Sequence, residues 1–245
     1  MHSTIKINDQ VIEYELLGKQ KPTFVFLNGD GADFTTSWKK VTNELEGLGT
    51  CLLFNRDGIG ENSKPTVKQT AEVVIQTIIG LLDNLQIEPP FVLVGHSSGG
   101  LFANLFARLY PDKVCGVVFV DSAHPDQFEE LKDDFTLVLK LLLWAMARLN
   151  SRSEIAHIKE TAKRVNSAGP FPTIPVAVLT GEKTEAPRWL EKPSLMKKKL
   201  QLHERLAALS TNSRHIKTKN SGHFISIDEP ELVVGAIKWV RSELG

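Results

Sequence analysis

Five short runs of almost unbroken apolar residues constrain this chain more than any other feature. They are TFVFL (23–27), TCLLF (50–54), FVLVG (91–95), VCGVVFV (114–120) and IPVAVL (174–179). A strand with one solvated face alternates apolar and polar residues. A run without alternation suits a strand buried on both faces, as in a parallel sheet. Parallel neighbours need crossovers, and segments of helical period lie between the runs: TTSWKKVTNELEG (35–47), TAEVVIQTIIGLLDNL (70–85) and GGLFANLFARLYP (99–111). In the second, Val73, Val74, Thr77, Ile78, Leu81 and Leu82 share one helical face. This alternation predicts an α/β fold with a doubly wound, mostly parallel sheet flanked by helices. STIKI and QVIEYELL alternate instead, around the turn signal Asn8-Asp9, and predict an N-terminal hairpin.

The rhythm breaks once. About fifty residues, mostly of helical pattern, separate the runs at 114–120 and 174–179, which is long for a crossover. Within them DQFEELKDDFTLVLKLLLWAMARLN (126–150) begins acidic and ends strongly apolar. We expect one domain over 1–245 with a small helical cap at 122–172, placed over the strand C-termini where open α/β sheets bind ligands. Leu143 and Trp144 are candidate pocket residues of that cap, and packing between cap and core is the simpler role for most of its apolar side chains.

The 29 basic residues balance 29 acidic ones, so no global field favours nucleic acid. The expected partner is a small molecule. The first 18 residues lack the apolar core and cleavage site of a secretory leader, and no stretch approaches the roughly 18 apolar residues of a bilayer span. Cys51 and Cys115 sit inside apolar runs and read as buried free thiols, which makes the cytoplasm the expected compartment. No His or Cys spacing suggests a metal, and no cofactor is expected.

After FVLVG comes Gly95-His96-Ser97-Ser98-Gly99, a G-x-S-x-G pattern that ends a strand and opens a helix. Such a strand–turn–helix setting is what a nucleophile elbow requires. A serine on so tight a turn needs a strained backbone, and glycines at 95 and 99 remove the side chains that would collide with neighbouring elements. Ser97 is therefore the candidate nucleophile. The backbone N–H of Ser98, at a helix N-terminus, is a candidate oxyanion donor.

A serine hydroxyl needs a base. Of the seven histidines, His223 in NSGHFISIDEP follows a strand-like segment and precedes the last helix, the place the order Ser, acid, His demands. His124 in DSAHP is its competitor and a candidate substrate contact; His96 is too constrained to turn back on Ser97. For the acid, Asp121 ends an apolar strand and is rigidly placed. Glu182 lies on a looser loop and is the alternative, with Asp126 and Glu185 behind it. The loop LNGDGADFTTSW should supply the second oxyanion donor, for which the N–H of Asp30 is preferred, its carboxylate pointing away. Asn28, at the head of this loop, is a further candidate substrate contact.

Together FLNGDGADFTTSW, LLFNRDGIGENSKP, LVGHSSGG, VFVDSAHP and SGHFISIDEP resemble the α/β-hydrolase superfamily, in its order and over nearly the whole chain except the cap. The resemblance implies an eight-stranded, mostly parallel sheet and a Ser–acid–His triad carried onto Ser97 and His223. Where many members carry Gly-x-x-Asp after the seventh strand, Thr184 fills the Asp slot. DSAHP resembles the Asp-Pro-Ala-like turn of some lipases, which favours Asp121. The nucleophile is not aspartate, unlike the epoxide-hydrolase and dehalogenase branches.

The expected activity is hydrolysis of a carboxylic ester of small to medium hydrophobic substrates through an acyl-enzyme. Thioester, lactone or amide cleavage, acyl transfer, and a ligand-binding protein without turnover are the alternatives on the same fold. Arg56 and Asp57 in FNRDGIG read as a structural turn, and MKKKLQLHERL (196–206) as a solvated helix with a basic start.

Overall fold

The computed structural model describes residues 2–7, 10–56, 58–60, 62, 64–149, 151–184 and 194–244, without the side chains of 142, 143, 146 and 147. Eight strands form one sheet: β1 (Ser3–Ile7), β2 (Gln10–Leu17), β3 (Thr23–Leu27), β4 (Thr50–Phe54), β5 (Phe91–His96), β6 (Val114–Val120), β7 (Val176–Gly181) and β8 (Ser213–Thr218). Their spatial order is β1-β2-β4-β3-β5-β6-β7-β8. β1, β2 and β4 pair antiparallel, and every pairing from β4 through β8 is parallel. The predicted hairpin and the doubly wound sheet are both present.

The unbroken apolar runs have the predicted cause. Every residue of β3, β4, β5 and β7 is buried, and successive side chains serve opposite layers. In β3, Val25 and Leu27 join the core under α2 (Ala71–Asn84) and α3 (Gly99–Leu109). Phe24 and Phe26 join the core under α1 (Phe34–Asn43) and α9 (Pro230–Ser242). β7 starts two residues later than the apolar pattern predicts, because Pro175 has no N–H to give the ladder. Its far end runs on to Gly181 through pairing with β8. The Asp33 carboxylate caps α1 by accepting from the Thr35 N–H, and Pro230 opens α9, where a missing N–H costs nothing.

The long connection from β6 to β7 holds α4 (Gln127–Glu130), α5 (Leu137–Leu149) and α6 (Glu154–Asn166). α6 packs on α2 and α3 and buries Ile158 and Val165 in their core. It thus packs as one of the helices that flank the sheet. The Arg56 Nε donates to Glu154 Oε1 at 2.6 Å and its guanidinium lies over the Phe102 ring, tying the end of β4 to α6. That is the structural role expected of Arg56; Asp57 lies outside the described residues. Cys51 is a buried free thiol as expected, whereas the free thiol Cys115 is only half-buried; burial raises them to about 12 and about 11.

Candidate active site

The turn between β5 and α3 is as tight as its composition demands. Ser97 sits at φ +53, in the left-handed region that a non-glycine residue rarely enters. A Cβ on Gly95 would come within 2.8 Å of the Gly100 Cα, and one on Gly99 within 2.2 Å of the Leu27 carbonyl oxygen. The elbow can therefore close only with glycine at both places. The Ser97 carbonyl is anchored by the N–H groups of Gly100 (3.0 Å) and Ala123 (2.9 Å), so the turn is locked to the loop after β6.

That loop carries Asp121, the first candidate for the acid. Asp121, at φ +42, is buried, and its Oδ2 accepts from His223 Nδ1 at 2.7 Å. Its Oδ1 accepts from the Gly181 N–H at 3.0 Å and faces the Lys199 ammonium at 2.7 Å. Burial alone would push this carboxyl up; the His223 hydrogen bond and the Lys199 charge reverse that and hold it well below the usual carboxylate range. His223 comes from the loop between β8 and α8 (Ile225–Asp228), reached because Gly181 and Gly222 nearly touch. A Cβ on Gly181 would lie 1.8 Å from the Gly222 carbonyl oxygen.

His96 holds that loop from the other side. Its Nε2–H donates to the His223 carbonyl at 2.8 Å, and the two rings stand 4.6 Å apart. Burial, with His223 beside it, pushes the His96 imidazole down to about 4, so it stays neutral. The ring nitrogen of His223 turned away from Asp121 is Nε2, and Ser97, Asp121 and His223 line one cavity of about 360 Å³.

The remaining acid candidates go elsewhere. Glu182 follows β7 with its N–H bonded to the Thr218 carbonyl at 2.7 Å and does not line the cavity, and Asp126 bonds Asn166 and Arg205. Glu185 lies outside the described residues. Asn28 is not placed to touch a substrate: it is buried, its Nδ2 donates to the Ala32 carbonyl and Asn55, and its Oδ1 accepts from the Trp38 indole at 2.5 Å. The side chain is consumed in shaping the loop that presents Gly29, whose Cα backbone approaches Ser97 so closely that a Cβ there would stand 3.1 Å from the Ser97 Cβ. The Asp30 carboxyl is raised to about 6 by burial and by Glu154, against a smaller lowering by Arg56.

His124 likewise stays out of the cavity. It is buried, accepts the Asp126 N–H on Nδ1 at 3.0 Å, and is pushed down to about 4 by burial. Trp144 is exposed on α5 and lines a separate depression with Arg148; the Leu143 side chain lies outside the described residues. The cavity walls are instead Leu131 and Phe135, flanking α4, and Leu195, Met196, Lys199 and His203 of α7 (Ser194–Ala207). The stretch read as a solvated basic helix thus contributes to the site. The missed signal was its period: Leu195, Lys199, Leu202 and Leu206 fall on one face, with His203 beside them. His203 bonds the Ser122 backbone and Thr180 (Nδ1–Oγ1 2.6 Å), and burial lowers it to about 4.

A family model describing the alpha/beta hydrolase fold matches residues 22–157, more than half of the chain. The protein belongs to that family. Its sequence is 29% identical over 226 residues to "Uncharacterized protein YqjL" of Bacillus subtilis, covering 90% of this chain and 83% of that one. Shorter matches are to human "Epoxide hydrolase 4", 28% identical over 134 residues, and "Methylesterase 2" of Arabidopsis thaliana, 35% identical over 111. These cover 53% and 44% of this chain and only 36% and 42% of those relatives. Among the described residues, no helix is long and apolar enough to cross a membrane.

Proposed function

We propose that this protein is a serine hydrolase that cleaves a carboxylic ester of a small to medium hydrophobic substrate through an acyl-enzyme. The observation that carries the reading is the Asp121–His223 hydrogen bond in the cavity that also holds Ser97 on its strained turn. Ser97 Oγ attacks the carbonyl carbon while His223 Nε2 takes its proton. The proton passes to the leaving alkoxide, which departs as alcohol. Water then attacks the acyl-enzyme, His223 again serving as base, and the acid is released with Ser97 restored. Asp121 stays ionised, holds the Nδ1–H tautomer and stabilises the imidazolium. The N–H groups of Ser98 and Asp30 are the assigned oxyanion donors.

The names of the relatives point to two reactions, and the nucleophile favours one. An epoxide opened by a serine would leave an alkyl ether, with no carbonyl for water to attack. An ester transferred to Ser97 leaves an acyl group that water can remove. The leucines, Phe135 and Met196 in the cavity wall suit an apolar acyl or alcohol group. The test is turnover of p-nitrophenyl acyl esters of graded chain length by the wild type and Ser97→Ala. The variant should lose about 10⁴-fold or more while melting as the wild type does. Undiminished turnover in Ser97→Ala refutes the scheme.

A further inference from the structure

Nine large apolar side chains are exposed among the described residues, and five lie on one helix. On α5, Leu137 is 71% exposed, Val138 45%, Leu141 56%, Trp144 59% and Leu149 88%. At about 100° per residue they fall within an arc of about 140°, one continuous stripe. Burying such a stripe is normally what holds a helix to its protein; here α5 packs on α6 and leaves it to solvent.

We propose that α5 docks this protein on the surface of a membrane bearing anionic lipids. Charge decides between lipid and a second copy of the chain. Residues 137–152 contain Lys140, Arg148 and Arg152 and no carboxylate. Arg148 lies within the stripe, its guanidinium 5.1 Å from the Trp144 ring centre. Two copies laid stripe to stripe would bring like charges together with no acid on either helix to answer them. An anionic bilayer answers all three. Beside the stripe, Lys68, Arg148, Arg152 and Trp144 line a shallow depression of about 390 Å³ with no acidic residue in its wall, which fits a lipid phosphate. A tryptophan flanked by cations on an apolar helix face sits well at the boundary of headgroups and acyl chains.

The arrangement also bears on access. Phe135, in the wall of the Ser97 cavity, lies two residues before α5, and two residues reach at most about 7 Å. The first turn of α5 therefore starts close to the cavity rim.

The test is flotation of the full chain with phosphatidylcholine vesicles, with and without 30% (about one lipid in three) phosphatidylglycerol, at low and high salt. Binding should need phosphatidylglycerol and fall about tenfold or more without it or in high salt, each cation near the surface being worth about fivefold. Leu141→Glu/Trp144→Glu should abolish flotation while leaving the melting temperature and hydrolysis of a soluble ester unchanged. Arg148→Gln/Arg152→Gln, which keeps the stripe, should weaken it. Flotation needs no turnover, so its outcome is separate from that of the hydrolase reading. No flotation, equal flotation with neutral vesicles, or a dimer in light scattering that the double glutamate variant turns into a monomer without any vesicle binding would each overturn the proposal.

Discussion

Asp30 sits in the loop proposed to stabilise the oxyanion, yet its carboxyl is raised from 3.8 to about 6 by burial and by the nearby Glu154 charge. The group therefore opposes folding whenever it is ionised. The sign follows from proton binding: as pH rises past about 4 the unfolded chain releases this proton and the folded chain keeps it. Stability contributed by the neutral form is complete below about 4 and is lost as pH rises to about 6. A shift of about 2 units at 1.36 kcal/mol each gives about 3 kcal/mol, an upper figure because the side chain is only partly buried.

Asp30→Asn keeps the shape and removes the ionisation. Against the wild type, the variant should gain nothing at about pH 4 and become progressively more stable up to about pH 7, approaching 3 kcal/mol at most. Urea unfolding followed by tryptophan fluorescence at intervals across that range measures the difference, provided the urea slope stays the same. A stability difference that does not change with pH would refute the reasoning, because it would mean the carboxyl does not feel the buried Glu154–Arg56 environment. Glu154→Gln supplies a cross-check: removing that charge should shrink the pH-dependent gain.

Other expectations concern the triad geometry. Asp121→Asn should cut kcat/KM for a p-nitrophenyl ester by about 10³–10⁴, and Glu182→Gln should leave it within about threefold; the reverse pattern would move the acid to Glu182. Lys199→Met strips Asp121 of its cation and should cost about 1–3 kcal/mol in urea unfolding, most of which Asp121→Asn/Lys199→Met recovers. An additive double variant would show that the pair does not interact. Gly181→Ala forces the Gly222 carbonyl away, carrying the His223 backbone with it. It should lower kcat by about 10²-fold, as displacements near 1 Å do, and kinetics on folded protein that show no loss would refute the role given to that contact.

How much of this was legible beforehand depends on whether a property is local. The runs at 23–27, 50–54 and 114–120 are strands at those bounds, because burial on both faces leaves its mark on every residue but the half-buried Cys115. The elbow was legible for the same reason: Gly95 and Gly99 answer to contacts with Gly100 and with the end of β3, and nothing larger fits. Asn28 and His124 were misread because a polar residue at a strand end has the same signature whether it faces a ligand or secures a loop. What separates the two is whether its polar atoms are already spent, and Asn28 spends its own on partners as distant as residue 55. Lys199 shows the boundary most sharply. The helical period alone puts it on the face of Leu195, Leu202 and Leu206, where a lysine is costly unless something offsets its charge. What offsets it is Asp121, 78 positions earlier, drawn to the same point by the end of β6. The sequence therefore shows a misplaced cation, and only the packing of α7 against β7 and β8 turns that anomaly into part of the site.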